Sequence, residues 1–229
     1  MSDQQLSPGI GLDVASMSIG ILGGTGDQGR GLARRFALAG NPVIIGSRSA
    51  ERAATAAQAL GGELGIHGMA NPDAAESADV VIVAVPWDGH RALLAALTAP
   101  LAGKIVIDCV NPLAFDQLGC YPLAVAEGSA AQQAAAVLPD SVVVGAFHHV
   151  SAVLLLDPAV STVDLDVLVL GDDRRATDLV QALAARIPGA RGVYAGRLRN
   201  CGQVEALTSN LVSINRRYKA HAGLRVTDV

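Results

Sequence analysis

Ser18-Ile19-Gly20-Ile21-Leu22-Gly23-Gly24-Thr25-Gly26-Asp27-Gln28-Gly29 is the stretch that decides the fold. The apolar run from Ile19 to Leu22 reads as a buried strand. Gly24-x-Gly26-x-x-Gly29 follows at once and a helical pattern begins behind it, which is the setting that a dinucleotide-binding turn requires. One glycine permits the tight strand-to-helix turn, the next lets backbone N–H groups approach a pyrophosphate, and the third lets helix and strand pack closely. The phosphates then lie on the helix N-terminus. Small residues in a tight turn need no ligand to explain them, so the decision passes to the end of the next strand.

There, after Pro42-Val43-Ile44-Ile45-Gly46, Ser47 and Arg48 stand where an acidic residue would bind an adenosine ribose 2′-hydroxyl. A carboxylate would repel a 2′-phosphate. Arg48 instead offers a planar fork, Ser47 a hydroxyl, and Arg52, one helical turn beyond Arg48, a second positive charge. The pattern predicts NADP(H) rather than NAD; a merely solvated cationic helix face is the competing reading.

Working outward, strand-length apolar runs recur at Ser18 to Leu22, Val43 to Gly46, Gly65 to Gly68, Val80 to Val85, Ile105 to Asp108 and Val142 to Ala146. Helical stretches fill the intervals at Arg30 to Ala39, Ala50 to Leu60, Asp73 to Ser77 and Gly89 to Leu97. This rhythm predicts an α/β fold, a Rossmann doubly wound parallel sheet. A further run, Asp166 to Leu170, a helix from Gly171-Asp172-Asp173 through Ala185, a short strand near Gly192 to Ala195 and a long helix over Arg199 to Ala220 read as a small C-terminal strand-helix extension. The expected organisation is a flexible tail over residues 1–16, an NADP-binding Rossmann domain over 17–139, and an extension over 140–229 that closes the cofactor cleft.

Half of the 229 residues are hydrophobic and few are aromatic, which suits parallel strands buried on both faces. A net charge of −4 leaves no electrostatic footprint for nucleic acid, and no run approaches a membrane span. The start lacks a secretion signal, so a cytoplasmic location is expected. Cys109, Cys120 and Cys201 are odd in number and widely spaced, which supports neither a disulfide framework nor a zinc site. The apolar final helix predicts a homodimer.

Ligands of such sheets lie beyond the carboxyl ends of the strands, where three loops stand out. In Val85-Pro86-Trp87, Pro86 fixes the turn and Trp87, the only tryptophan, offers a flat surface beside a cofactor or packs as an ordinary helix-start aromatic. In Asp108-Cys109-Val110-Asn111-Pro112, Asn111 offers hydrogen bonds to a carboxamide or ribose, or simply makes an Asx-Pro turn. In Phe147-His148-His149-Val150-Ser151-Ala152, adjacent side chains on a strand face opposite sides, so at most one histidine points into a given pocket. It would act as a general acid or be satisfied by a backbone carbonyl. A metal would need further ligands that the neighbouring residues lack, and none is expected.

Taken together and in order, Gly23-Gly24-Thr25-Gly26-x-x-Gly29, Gly46-Ser47-Arg48 with Arg52, Gly68-Met69, Val85-Pro86-Trp87 and Phe147-His148-His149 resemble the F420-dependent NADP reductase family. The resemblance covers nearly everything from Ser18 to the C-terminal helix. It implies an enzyme, a cytoplasmic oxidoreductase that transfers a hydride between NADP(H) and the 5-deazaflavin coenzyme F420. It further implies that Thr25, Gly26, Asp27 and Gln28 hold the pyrophosphate and ribose, and that Ser47, Arg48 and Arg52 hold the 2′-phosphate. Trp87 and Ala152 would lie near the nicotinamide, and His148 and Val150 would border the deazaflavin. Ser151 and Asp108-Cys109 depart from the family pattern near the acceptor, so two alternatives stay open: an NADPH-dependent reductase of a flavin, imine or ketone, and a non-catalytic NADP(H)-binding redox sensor.

Overall fold

The computed structural model describes residues 13–229. Strands and helices alternate: β1 (Ile19–Leu22), α1 (Asp27–Leu38), β2 (Val43–Ser47), α2 (Ala50–Ala59), β3 (His67–Ala70), α3 (Asn71–Ser77), β4 (Val80–Val83), α4 (Trp87–Ala96), α5 (Thr98–Leu101) and β5 (Ile105–Asp108). A hairpin of β6 (Leu113–Asp116) and β7 (Gly119–Pro122) interrupts this rhythm. Then follow α6 (Ala130–Val137), β8 (Val142–Gly145), α7 (Ala152–Leu156), β9 (Leu165–Gly171), α8 (Arg174–Ala184), β10 (Ala190–Gly196) and α9 (Cys201–Tyr218).

The main sheet has the order β10-β9-β8-β5-β4-β1-β2-β3. From β3 to β8 every neighbour is parallel, with Ile19 opposite both Val43 and Val80. Chain order reverses between β1 and β4, and this opens the crevice at their carboxyl ends that the sequence predicts. Period-two alternation divides the core: Ile19, Ile21, Val80 and Ile82 face the layer that holds Leu32 and Phe36, whereas Leu22, Val81 and Val83 face Leu94 and Val106. Both faces are covered, which is why β1 and β4 are buried throughout.

The extension is built differently from the expectation. The sixth parallel strand, β8, lies beyond the boundary placed at residue 139 and pairs with β5, so one continuous sheet crosses that boundary. Only β9 and β10 are additions. β9 runs antiparallel to β8 with a short overlap, Val144 opposite Gly171 and Gly145 opposite Leu170, and so extends past the carboxyl end of β8. Residues 1–12 of the expected tail lie outside the described residues. Its last part, Asp13 to Ser16, is tied down: Asn41 Nδ2 donates to the Val14 carbonyl at 2.7 Å, and Val14 joins the core. The hairpin was not expected. Asp116 Oδ1 accepts from the N–H groups of Leu118 and Gly119 at 2.7 and 3.1 Å, and Gly119, at φ 129°, turns where other residues are strained.

One buried cation fastens the cleft. Arg35 on α1 is 2 % exposed and donates to the carbonyls of Leu155, Leu154 and Val160 at 2.8, 2.5 and 2.7 Å. It thereby satisfies the carboxyl end of α7, the helix that begins just after the loop that follows β8. Replacing it by Met keeps most of the bulk and leaves those acceptors without donors. Arg35→Met is expected to lower stability by about 3 kcal/mol, read as a reduced urea midpoint at an unchanged slope. No helix among the described residues is long and apolar enough to cross a membrane.

Candidate functional site

The loop after β1 is shaped by three different glycine requirements. The turn residue is Gly23, one position ahead of the motif: its φ is 72°, and a Cβ there would stand 2.4 Å from Val85 Cγ1 and 2.8 Å from the Ala84 carbonyl. A Cβ on Gly29 would lie 2.6 Å from Gly24 Cα, so this glycine lets α1 seat on the strand. Gly26 is unlike both. Its φ of −79° suits any residue, and a Cβ would meet only the Gly23 carbonyl at 3.8 Å. No protein atom explains glycine there, and the position stands open at the N-terminus of α1. Gly26 caps α1 without a side-chain hydrogen bond, and Asp27 in the first turn pairs with Arg30 at 2.6 Å.

At the end of β2, Ser47 is buried while Arg48 and Arg52 are exposed. Neither arginine forms an ion pair among the described residues. Arg52 lines an open cleft of about 510 Å³ with Thr25, Arg30, Glu51 and Thr55, which brings the glycine turn and Arg52 onto one surface. Beside it lies a residue the sequence reading missed. Asn71 at the start of α3 is buried, its Oδ1 has no hydrogen-bond partner, and that oxygen would stand 2.7 Å from a Cβ on Gly46.

The remaining loops meet at the other end of the crevice. Gln28 Nε2 donates to the Phe147 carbonyl at 3.3 Å and links the glycine turn to the loop after β8. Phe147 itself takes the left-handed conformation, φ 63°, rare for an aromatic residue, and its ring packs edge-on against Phe36 at 6.0 Å. Asn111 Nδ2 donates to the His148 carbonyl at 2.7 Å, and Thr208 Oγ1 of α9 donates to the same oxygen at 3.2 Å. Asn111 Oδ1 is buried without a partner, an acceptor for a ligand N–H. Pro86 is exposed, Trp87 and Ala152 are half-buried, and Val150 is buried.

The histidines depart from both readings of the sequence. Burial pushes His148 down to about 4, and neither of its ring nitrogens has a partner, so at neutral pH the ring is uncharged and is no imidazolium acid. It is the backbone carbonyl of His148, not the ring, that is held. Burial likewise pushes His149 down to about 4, and its Nε2 accepts from the Leu168 N–H at 3.3 Å rather than donating to a carbonyl. β9, extended past β8, supplies that N–H.

Beneath these loops lies a buried polar cluster of which only Asp108 was noticed in the sequence. His90 and Asp108 are fully buried, with Nε2 and Oδ2 2.6 Å apart. His90 Nδ1 faces Gln133 Oε1 at 3.0 Å, and the Trp87 ring stacks over His90 with centroids 5.6 Å apart and planes 29° from parallel. Glu205 of α9 accepts from the N–H groups of Ala130 and Ala131 at 2.8 and 3.2 Å, and burial pushes it up to about 7. A signal for His90 existed: three residues after Trp87 on a helix, it shares that side chain's face.

The profile of a family described as "NADP oxidoreductase coenzyme F420-dependent" matches residues 18–112. The F420-dependent NADP reductase of Methanothermobacter marburgensis is 40 % identical over 223 residues, 93 % of this chain and 99 % of that protein. The one of Methanocaldococcus jannaschii is 40 % identical over 224 residues, again 93 % and 99 %. Among solved structures, an Arthrobacter sp. FB24 protein named as a candidate F420-dependent NADP reductase aligns with a TM-score of 0.79 at 26 % identity, over 93 % of this chain and all of that one.

Proposed function

From the chain's membership of the F420-dependent NADP oxidoreductase family, we infer an enzyme that transfers a hydride between NADP(H) and the deazaflavin coenzyme F420. The two coenzymes supply the redox chemistry when bound, one giving and the other accepting the hydride at its ring carbon. The chain's own residues bind, orient and exclude water.

In this reading Gly23 and Gly24 make the turn, Gly29 seats α1 on the strand, Gly26 leaves room for the phosphates, and the backbone of Thr25, Asp27 and Gln28 at the N-terminus of α1 holds the pyrophosphate and ribose. Ser47, Arg48 and Arg52 take the 2′-phosphate. Trp87 after Pro86 walls the nicotinamide together with Ala152, and Asn111 Oδ1 accepts from its carboxamide. His148 and Val150 border the deazaflavin as a neutral, dry surface. The observation that carries the assignment of the binding end is Gly26, a glycine that no protein atom and no backbone angle demands.

The test is anaerobic mixing of the purified protein with NADPH and oxidised F420, with FMN in parallel, following the visible absorbance of each acceptor. Bleaching of the deazaflavin alone is expected. Bleaching of FMN instead, or NADPH binding without any transfer, would overturn the F420 reading in favour of another acceptor or of a sensor.

The homodimer belongs to this reading, but on a surface other than the one expected. The apolar face of α9 is largely occupied inside the subunit, with Cys201, Val204 and Leu211 buried. Exposed apolar side chains cluster at Phe115, Leu118 and Tyr121 on the hairpin and at Ile214 and Tyr218 on α9, against which β7 packs, while others such as Leu38, Val153 and Tyr194 are scattered. Leu118, 95 % exposed at the hairpin tip, supports pairing of two copies there. Leu118→Glu is expected to convert a dimer to a monomer on gel filtration; a wild type that elutes as a monomer at all concentrations would refute the dimer. Free cysteines and the use of NADP(H) support a cytoplasmic location.

A further inference from the structure

We propose that His90, locked as a buried imidazolium between Asp108 and Gln133, positions Trp87 and the Asp108–Asn111 loop for hydride transfer. The proposal rests on the functional reading above for what is being positioned, and on hydrogen-bond accounting for the charge.

Gln133 Nε2 donates to Glu127 Oε2 at 3.2 Å, so the amide is oriented with Oε1, an acceptor only, toward His90 Nδ1. Asp108 Oδ1 accepts from the Val110 N–H at 3.0 Å, and Oδ2 faces His90 Nε2 at 2.6 Å. Each ring nitrogen therefore meets an acceptor. A neutral imidazole carries one N–H and would leave one of these contacts between two lone pairs in a site closed to water; the imidazolium satisfies both. The groups facing the ring from the surrounding elements are Asp108 of β5, Gln133 of α6, Glu205 of α9 and Trp87 of its own helix. Burial opposes the charge, but Asp108, with Gln133 and Glu205 adding to it, outweighs burial and raises His90 above its ordinary value.

Two consequences reach the site. The cation lies under the face of Trp87, where attraction to the ring quadrupole fixes the indole. Through Asp108, the same ion pair holds the Val110 N–H, and with it the loop that presents Asn111. His90 is a positioning residue: it is fully buried beneath the cleft, and its effect passes through Trp87 and Asn111.

Trp87 is the only tryptophan, so its fluorescence reports this contact without any coenzyme. A stacked imidazolium quenches an indole more strongly than a neutral ring does. In the wild-type protein the emission is expected to stay low and flat from about pH 6 to 8 and to rise only at higher pH. A rise centred near the ordinary histidine value of about 6.5 would overturn the charge assignment. His90→Gln, which keeps a donor toward Asp108, is expected to brighten Trp87 and to lower kcat by roughly tenfold or more, since small displacements at the reacting end are costly. Binding of 2′,5′-ADP, which lacks the nicotinamide, is expected to stay within about twofold, as for a distant site. Unchanged kcat in a brightened variant would overturn the positioning role. Should His90→Gln fail to bind 2′,5′-ADP, the wild-type titration and Asp108→Asn, which should move the emission change toward the ordinary histidine range, decide. A wild type that bleaches no deazaflavin would defeat the functional reading while leaving the fluorescence result intact.

Discussion

The double variant Arg48→Ala/Arg52→Ala is expected to bind NADPH about thirtyfold to a thousandfold more weakly than the wild type, at about 1 to 2 kcal/mol per charge-assisted contact, while NADH binding stays nearly unchanged. Both guanidinium groups are exposed and free of ion pairs among the described residues, so nothing inside the protein competes for them and their removal leaves no buried partner stranded. The loss should therefore appear in ligand affinity, with thermal stability preserved. Glu51 lines the same cleft, and with both arginines gone its charge would oppose a 2′-phosphate. The wild-type preference should also shrink with added salt, because exposed charges are screened over about 8 to 10 Å at moderate ionic strength. Titration of both coenzymes by fluorescence or calorimetry checks this; equal NADPH affinity in the variant would defeat the 2′-phosphate assignment.

The second large effect is acid sensitivity. His148 and His149 titrate at about 4 in the folded protein because burial penalises their charged forms, whereas both return to about 6.5 on unfolding. A depressed folded value means that the unfolded state binds the protons first. The stabilisation is complete above about 6.5 and is lost as pH falls to about 4, on the order of 3 kcal/mol for each ring. Glu205 acts in the opposite direction: at about 7 when folded, against an ordinary 4.5, it contributes fully below about 4.5 and loses that contribution progressively as pH rises to about 7. Two histidines outweigh one carboxyl between about 4.5 and 6.5; above about 7 the further erosion comes from the raised His90. Melting temperature should thus peak near neutral pH and drop toward pH 4, with His148→Asn flattening the acid limb and Glu205→Gln, which removes the opposing carboxyl, steepening it. An acid limb unchanged in His148→Asn would contradict the neutral burial of that ring.

The use of NADP(H) was legible in the sequence, because the residues that suggest it are written in local chemistry. Glycine at 24, 26 and 29 and the pair Ser47-Arg48 act within a few residues of where they stand, and the structure brings both groups to the carboxyl ends of β1 and β2. The sheet was legible for a related reason: strands buried on both faces must be apolar throughout, and Ile19 to Leu22 and Val80 to Val83 are. What failed was punctuation. Gly65, in the left-handed conformation, ends a short turn and delays β3 to His67, and the Asp116 side chain builds a hairpin from residues that alternate too briefly to read as strands.

The sequence by itself determined the doubly wound sheet and the use of NADP(H), since each follows from periodicity or from residues adjacent along the chain. Only the tertiary structure decided which polar groups are charged. Arg35 reads as one more helix-surface arginine until α7 is laid across it; His90, Asp108, Gln133 and Glu205 come from four separate elements. His148 and His149 owe their neutrality to the burial that packing imposes. Charge state depends on the solvent excluded and on the partner that arrives from elsewhere in the chain, and both are set when the elements dock.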